Sequence, residues 1–291
     1  SYAPNETHAQ IYSEETFLQG ALLASVGYGV VLTLYVFCMH LLVTGMNATN
    51  RRTNACFIVY VTVMFVLGTL FQASNSQFTQ LAYVEDRDFP GGPAVYEEAM
   101  FYIPVDTMGN VAYVLSNWLA DGLLMWRCMV ICRASFIPIW IIMALPCLLY
   151  AGSLSMGVCY LVQVSTPNSS AWVTTSVNFT LPYASLSFGL NIIITLVIVV
   201  RLLVSRRQLR RILGRGHGTH YTSIMAMLVE SAILYAAFSI FFLAPWAAGN
   251  ALANICFQAS GQVQIIAPFM IIARVALGKA WGADTSTKLF T

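Results

Sequence analysis

Charge is what this sequence has least of. Only 9% of its 291 residues are charged, while 58% are hydrophobic. A water-soluble domain carries about a quarter charged residues, so this chain is not one. A net charge of +2 gives no strongly basic surface, and no nucleic-acid motif, repeat or low-complexity run is present. Histidine is scarce as well: His8, His40, His217 and His220 are all there are. His217 and His220 form an H-x-x-H pair in a glycine-rich turn with no third ligand in view, so no metal site is expected. No nucleophile–base pair stands out, so neither a catalytic residue nor a cofactor is expected. The seven cysteines are odd in number and fall mostly inside apolar runs, which does not describe a disulfide scaffold. Cys128 and Cys132, one helical turn apart, read as small packing residues. A bridge between Cys159 and Cys256, both toward the outside, is geometrically possible but not expected.

What the chain has instead is apolar length. About 20 apolar residues cross a bilayer as a helix. Seven runs qualify, at about 17–43, 54–74, 103–132, 137–162, 179–204, 221–246 and 251–278. They predict an all-α, seven-crossing bundle occupying the whole chain, with its longest loop at 75–102. No cleavable-looking signal segment precedes the first run, and a start at Ser1 fits removal of an initiator methionine or trimming. Arginine and lysine set the orientation. Arg51, Arg52, Arg133, the arginines from Arg201 to Arg215, Arg274, Lys279 and Lys288 share one side. The other side holds Arg87 against Glu6, Glu14, Glu15, Glu85, Asp86, Asp88, Glu97 and Glu98. The N-terminus is therefore expected outside and the C-terminus in the cytosol, in the plasma membrane or another membrane of the secretory pathway. Asn5 and Asn168 head sequons on the outer side and are the candidate glycosylation sites.

Polar residues interrupt the apolar runs in register. Asp106, Asn110, Tyr113, Asn117 and Asp121 share one face of the third run at helical spacing. Tyr183, Ser187, Asn191 and Thr195 repeat the pattern in the fifth. Asn254, Gln258 and Gln262 do so in the seventh, and Glu230 stands in the sixth. Lipid satisfies none of these groups, so they are expected to face one another, a ligand or water. Asp121 and Glu230 lie at similar depths, about 16 and 13 Å from the inner boundary at 1.5 Å per residue. Two readings follow. In one the stripes are interhelical glue. In the other they line a cavity open to the outside, with Asp121 and Glu230 near its floor. The second makes Asp106, Asn110, Asn117, Asp121, Asn191, Glu230, Asn254, Gln258 and Gln262 the candidate ligand-binding set. Pro146, Pro245 and Pro268 are expected to kink their helices, and Gly109, Gly122 and Gly189 to allow close helix contact.

Between Arg201 and Arg215 arginines alternate with leucine and isoleucine at helix-like spacing. The fifth helix is expected to continue past the membrane there. Its arginines would meet anionic lipid headgroups, or a cytosolic partner. In the outer loop, Pro90-Gly91-Gly92-Pro93 signals a turn among acidic residues. A solvated loop or a cap over a cavity both fit it.

Seven helices with the N-terminus outside resemble the receptor and rhodopsin architectures, but the detailed motifs differ. Retinal proteins hold their cofactor on a lysine within the seventh helix, and here Lys279 and Lys288 lie at or past its end. "MWRCMVICR" stands where rhodopsin-like receptors carry an acidic-Arg-Tyr motif. Trp118, Asp121, Leu123, Leu124, Trp126, Arg127 and Cys128 form W-x-x-D-x-L-L-x-W-R-C. Pro146, Leu148, Leu149 and Tyr150 form P-x-L-L-Y. With these two motifs the chain resembles a large set of uncharacterised seven-helix membrane proteins of mushroom-forming fungi. The resemblance implies a fungal origin and a receptor-like bundle, and lends no mechanism. The function expected is binding of a small molecule or lipid in an outward-facing polar cavity. A structural, self-associating membrane protein is the alternative, and a channel or transporter comes third.

Overall fold

The computed structural model of the chain describes residues 7–47, 50–132, 138–167, 178–213, 237, 240–241, 243–246 and 248–288. The expected sixth run, with Glu230, lies largely outside them, as do Asn5, Asn168 and Arg215.

Among the described residues the chain is helical, without a strand. Helix α1 spans His8–Thr44. It starts at a capping box, in which the Gln10 amide donates to Thr7 Oγ1 and the Thr7 amide donates to Gln10 Oε1. Helix α2 spans Arg51–Gln80 and ends in a π-helical turn, Leu81–Glu85. A short helix, α3, spans Gly92–Ala99. Then come α4 (Pro104–Cys132), α5 (Ile139–Val164), α6 (Thr180–Leu213) and α7 (Leu252–Lys288). All but α3 are long and apolar enough to cross a bilayer, six in total. The chain is a polytopic helical membrane protein.

Side-chain contacts give the helix directions. Tyr60 of α2 reaches the Leu119 carbonyl of α4 while Ser74 reaches that of Val105, so α2 and α4 run antiparallel. Tyr150 to Trp118 and Tyr160 to Asn110 make α5 antiparallel to α4. Asn117 to Tyr183 and Asp121 to Ser187 make α6 parallel to α4. Phe17 to Gln258 and Cys38 to Phe269 make α7 parallel to α1. Helix α4 is the hub and packs on α2, α5, α6 and α7.

Polarity is inverted relative to a soluble fold. Leu22, Val26, Val59, Trp140, Leu148 and Leu196 are exposed, whereas Asn75, Asn110, Asn117, Asp121, Gln262 and Gln264 are buried. Lipid as solvent requires this arrangement, because only interhelical partners can satisfy polar side chains there.

Several expectations need correction. Residues 75–102 are not one loop. Helix α2 continues through Gln80, and α3 docks on α1 and on the π turn. The turn at residues 90–93 does form, with Gly91 at φ 98° and Gly92 at φ 81°, a region that favours glycine. Gly109 meets Ser74 and Gly122 meets Tyr150, as close-contact glycines should. Gly189 meets nothing within 4 Å and serves no such contact. Pro146 and Pro268 sit inside continuous helices. Each lacks an N–H, which leaves the carbonyls of Ile142 and Gln264 without their helical donors. Cys159 and Cys256 are free thiols and form no bridge.

Candidate functional site

The polar stripe of α4 meets side chains from both neighbours. Asn117 Nδ2 donates to Tyr183 Oη at 2.9 Å and to Ser187 Oγ at 3.0 Å. Ser187 in turn donates to Asp121 Oδ2 at 3.0 Å. Asp121 is 1% exposed. One helical turn and more toward α3, Tyr160 donates to Asn110 Oδ1 at 3.0 Å, and Asn110 Nδ2 donates to Asp106 Oδ2 at 2.7 Å. The rings of Tyr160 and Tyr183 stack at 5.6 Å and join the two groups. Asn191 is buried one turn beyond Ser187. The four α4 candidates are thus brought together with α5 and α6.

The α7 candidates face elsewhere. Gln258 accepts from Asn75 of α2 at 3.2 Å and donates to the Phe17 carbonyl of α1 at 3.1 Å. Gln262 donates to the Gly68 carbonyl. Gln264 donates to Ser116 Oγ at 2.7 Å and to the Tyr113 carbonyl at 3.0 Å. Sequence reasoning passed over Gln72, Asn75 and Thr79 of α2. Their spacing of three, four and seven residues is the inward-face signal already read on α4. Tyr160 of α5 was passed over as well, although Ser153, Gly157, Tyr160 and Gln163 share the buried face of α5 at helical spacing.

Asn254 borders a cavity of about 430 Å³. It sits where α1 and α7 begin, under α3. Its wall includes Ser13 and Phe17 from α1, Glu97 and Glu98 from α3, Phe101, Trp246, and Asn250 beside the start of α7. Gln258 closes hydrogen bonds between α2, α7 and α1 one turn below Asn254. Among the described residues, two other hollows lie between α2 and α4, one walled by apolar side chains such as Leu70, Val111 and Leu115 and the other by Arg52, Phe57, Tyr60 and Trp126. The end cavity brings carboxyl, amide and aromatic side chains together.

Glu97 is the unforeseen residue of this site. Only 6% of it is exposed, and its Oε1 has no hydrogen-bond partner. Burial pushes its carboxyl well above the usual carboxylate range. The adjacent Tyr83 hydroxyl pulls it back, and Glu14, Glu98 and Asp106 add to the rise. Burial raises Glu98 also. Among the described residues no three His, Cys, Asp or Glu side chains gather as a metal site would need.

No family model, curated protein or solved structure matches this chain. Function therefore has to be argued from the bundle and its cavity.

Proposed function

We propose that this is a receptor-like seven-crossing protein that binds a small molecule or lipid in the cavity at the α3 end. The observation that carries the reading is the 430 Å³ cavity itself, whose size falls within the range of small-molecule sites. Its walls come from three places in the chain, so a bound molecule would bear on α1, α3 and α7 together.

Topology supports the seventh crossing. Helices α6 and α7 both begin at the α3 end, as a further crossing between them would require. Charge supports the orientation. Glu85, Asp86, Asp88, Glu97 and Glu98 gather at the α3 end, while Arg51, Arg52 and the arginine-bearing turns of α6 lie at the other. The positive-inside rule then makes the cavity outward-facing, with Asn5 and Asn168 on the glycosylated side. The arginines from Arg201 to Arg215 meet anionic lipid or a cytosolic partner. The two motifs on α4 and α5 keep the fungal seven-helix family as the proposed kinship.

Within this reading Asn254 belongs to the ligand wall, and Asn117, Asp121 and Gln258 hold the helices beneath it. A second reading, a structural or self-associating membrane protein, is favoured by the way these core polar groups bond to one another.

The test uses the full chain in lipid nanodiscs and a thermal-unfolding screen of small molecules. A ligand that binds the folded state raises the transition temperature. The expected result is at least one stabilising compound whose effect disappears in Asn254→Trp, which fills the cavity. Stabilisation that survives Asn254→Trp, or none across the screen, would favour the structural reading.

A further inference from the structure

We infer that the end cavity is built for a small organic ammonium ion, with Glu97 as its counter-charge. This rests on the ligand-cavity reading above and names the ligand class. Among the described residues, every charged side chain on the wall is acidic, namely Glu97 and Glu98. Phe17, Phe101 and Trp246 supply aromatic surface beside these carboxylates. Ring faces attract cations, and more strongly where water is excluded. Ser13, Asn250 and Asn254 add neutral side chains whose oxygens carry partial negative charge toward a cation. An anion would meet two carboxylates and no cation, so it is disfavoured on charge alone.

Glu97 supplies the independent observation. A carboxyl so deeply buried normally finds partners for both oxygens. Its Oε1 has none, and the side chain borders the cavity. A cation seated in the cavity would lie beside this carboxyl as its counter-charge. The groups facing Glu97 are Glu14 from α1, Tyr83 from the π turn, neighbouring Glu98 and Asp106 from α4. Among the described residues none of these is a cation.

Proton linkage follows. Glu97 has to be ionised to attract a cation, and burial favours its neutral form. Cation binding therefore releases a proton, and affinity rises with pH until Glu97 titrates in the free protein.

Choline and its uncharged isostere 3,3-dimethylbutan-1-ol separate charge from shape, and choline keeps its charge at every pH. Binding of each to the full chain in nanodiscs is read by equilibrium dialysis near neutral pH. Choline is expected to bind at least about tenfold more tightly than the alcohol. Glu97→Gln should erase that difference. The choline affinity of the wild type should rise with pH, and that of Glu97→Gln should not. A Glu98→Gln variant controls for charge at the rim, and helical circular dichroism controls for folding. Equal binding of the two compounds would overturn the ammonium inference and leave the cavity as a neutral-ligand site. Binding of neither would also overturn it, and the cavity reading would then stand or fall on the compound screen.

Discussion

Ser187 has one hydroxyl proton and two acceptors in reach, Asp121 Oδ2 at 3.0 Å and Asn117 Oδ1 at 3.3 Å. The Asn117 amide donates to its oxygen, so the proton is best directed at Asp121, the shorter contact. A carboxyl inside an apolar run finds its partner locally: α6 brings a donor to it. Ser187→Ala removes that donor and leaves a buried acceptor unsatisfied, at a cost of about 1–3 kcal/mol. A double-mutant cycle of Ser187→Ala with Asp121→Ala should return a coupling of about 0.6–1.7 kcal/mol, as for other interhelical hydrogen bonds in membranes. Reversible unfolding in mixed micelles measures both. A coupling near zero would mean that Asp121 draws its stabilisation from elsewhere.

Helix packing carries the same lesson one level up. A Cβ on Gly261 of α7 would fall 2.7 Å from Cζ of the Phe71 ring of α2. That ring cannot simply swing away, because Tyr113 of α4 lies against it at 5.9 Å and Phe257 of α7 lies behind Tyr113 at 5.9 Å. Gly261→Ala should therefore destabilise the bundle by about 1–3 kcal/mol, the range for overpacking. Phe71→Leu in that background should recover part of the loss, and urea or detergent unfolding midpoints would show it. An unchanged midpoint in Gly261→Ala would mean that α2 and α7 are not in contact there. Elements whose polar residues form a clean inward stripe were legible in the sequence. Helix α4 was expected at 103–132 and runs Pro104–Cys132. The end of α2 was not, because its Ser, Asn, Gln and Thr residues look like a loop. Ser74 and Asn75 are buried instead: Asn75 pairs with Gln258, and Ser74 with the Val105 carbonyl. The cavity was illegible for a different reason. Its wall is drawn from α1, α3 and the start of α7, whose residues share no periodicity with one another, and Glu97 sat in a segment read as solvated.

Across the whole molecule, one asymmetry organises the rest: acids at the end capped by α3, arginines at the other. Burial explains the interior and lipid the exterior, but only the end charges and the helix directions say which face meets which compartment. Helices α1, α4, α6 and α7 all start at the acidic end. With the arginine end in the cytosol, residue 98 and residue 52 must lie on opposite sides of the membrane. Single cysteines at Glu98→Cys and Arg52→Cys, treated in intact cells with a membrane-impermeant maleimide, provide the check. Both positions are exposed or half-buried at helix ends, and the exposed native thiols Cys56 and Cys147 lie inside α2 and α5. Glu98→Cys should label from outside, and Arg52→Cys only after permeabilisation. The reverse pattern would invert the protein and turn the cavity toward the cytosol, where its ligand would have to be sought. Labelling of both from one side would contradict the placement of Arg52 and Glu98 at opposite ends of the membrane-crossing helix α2.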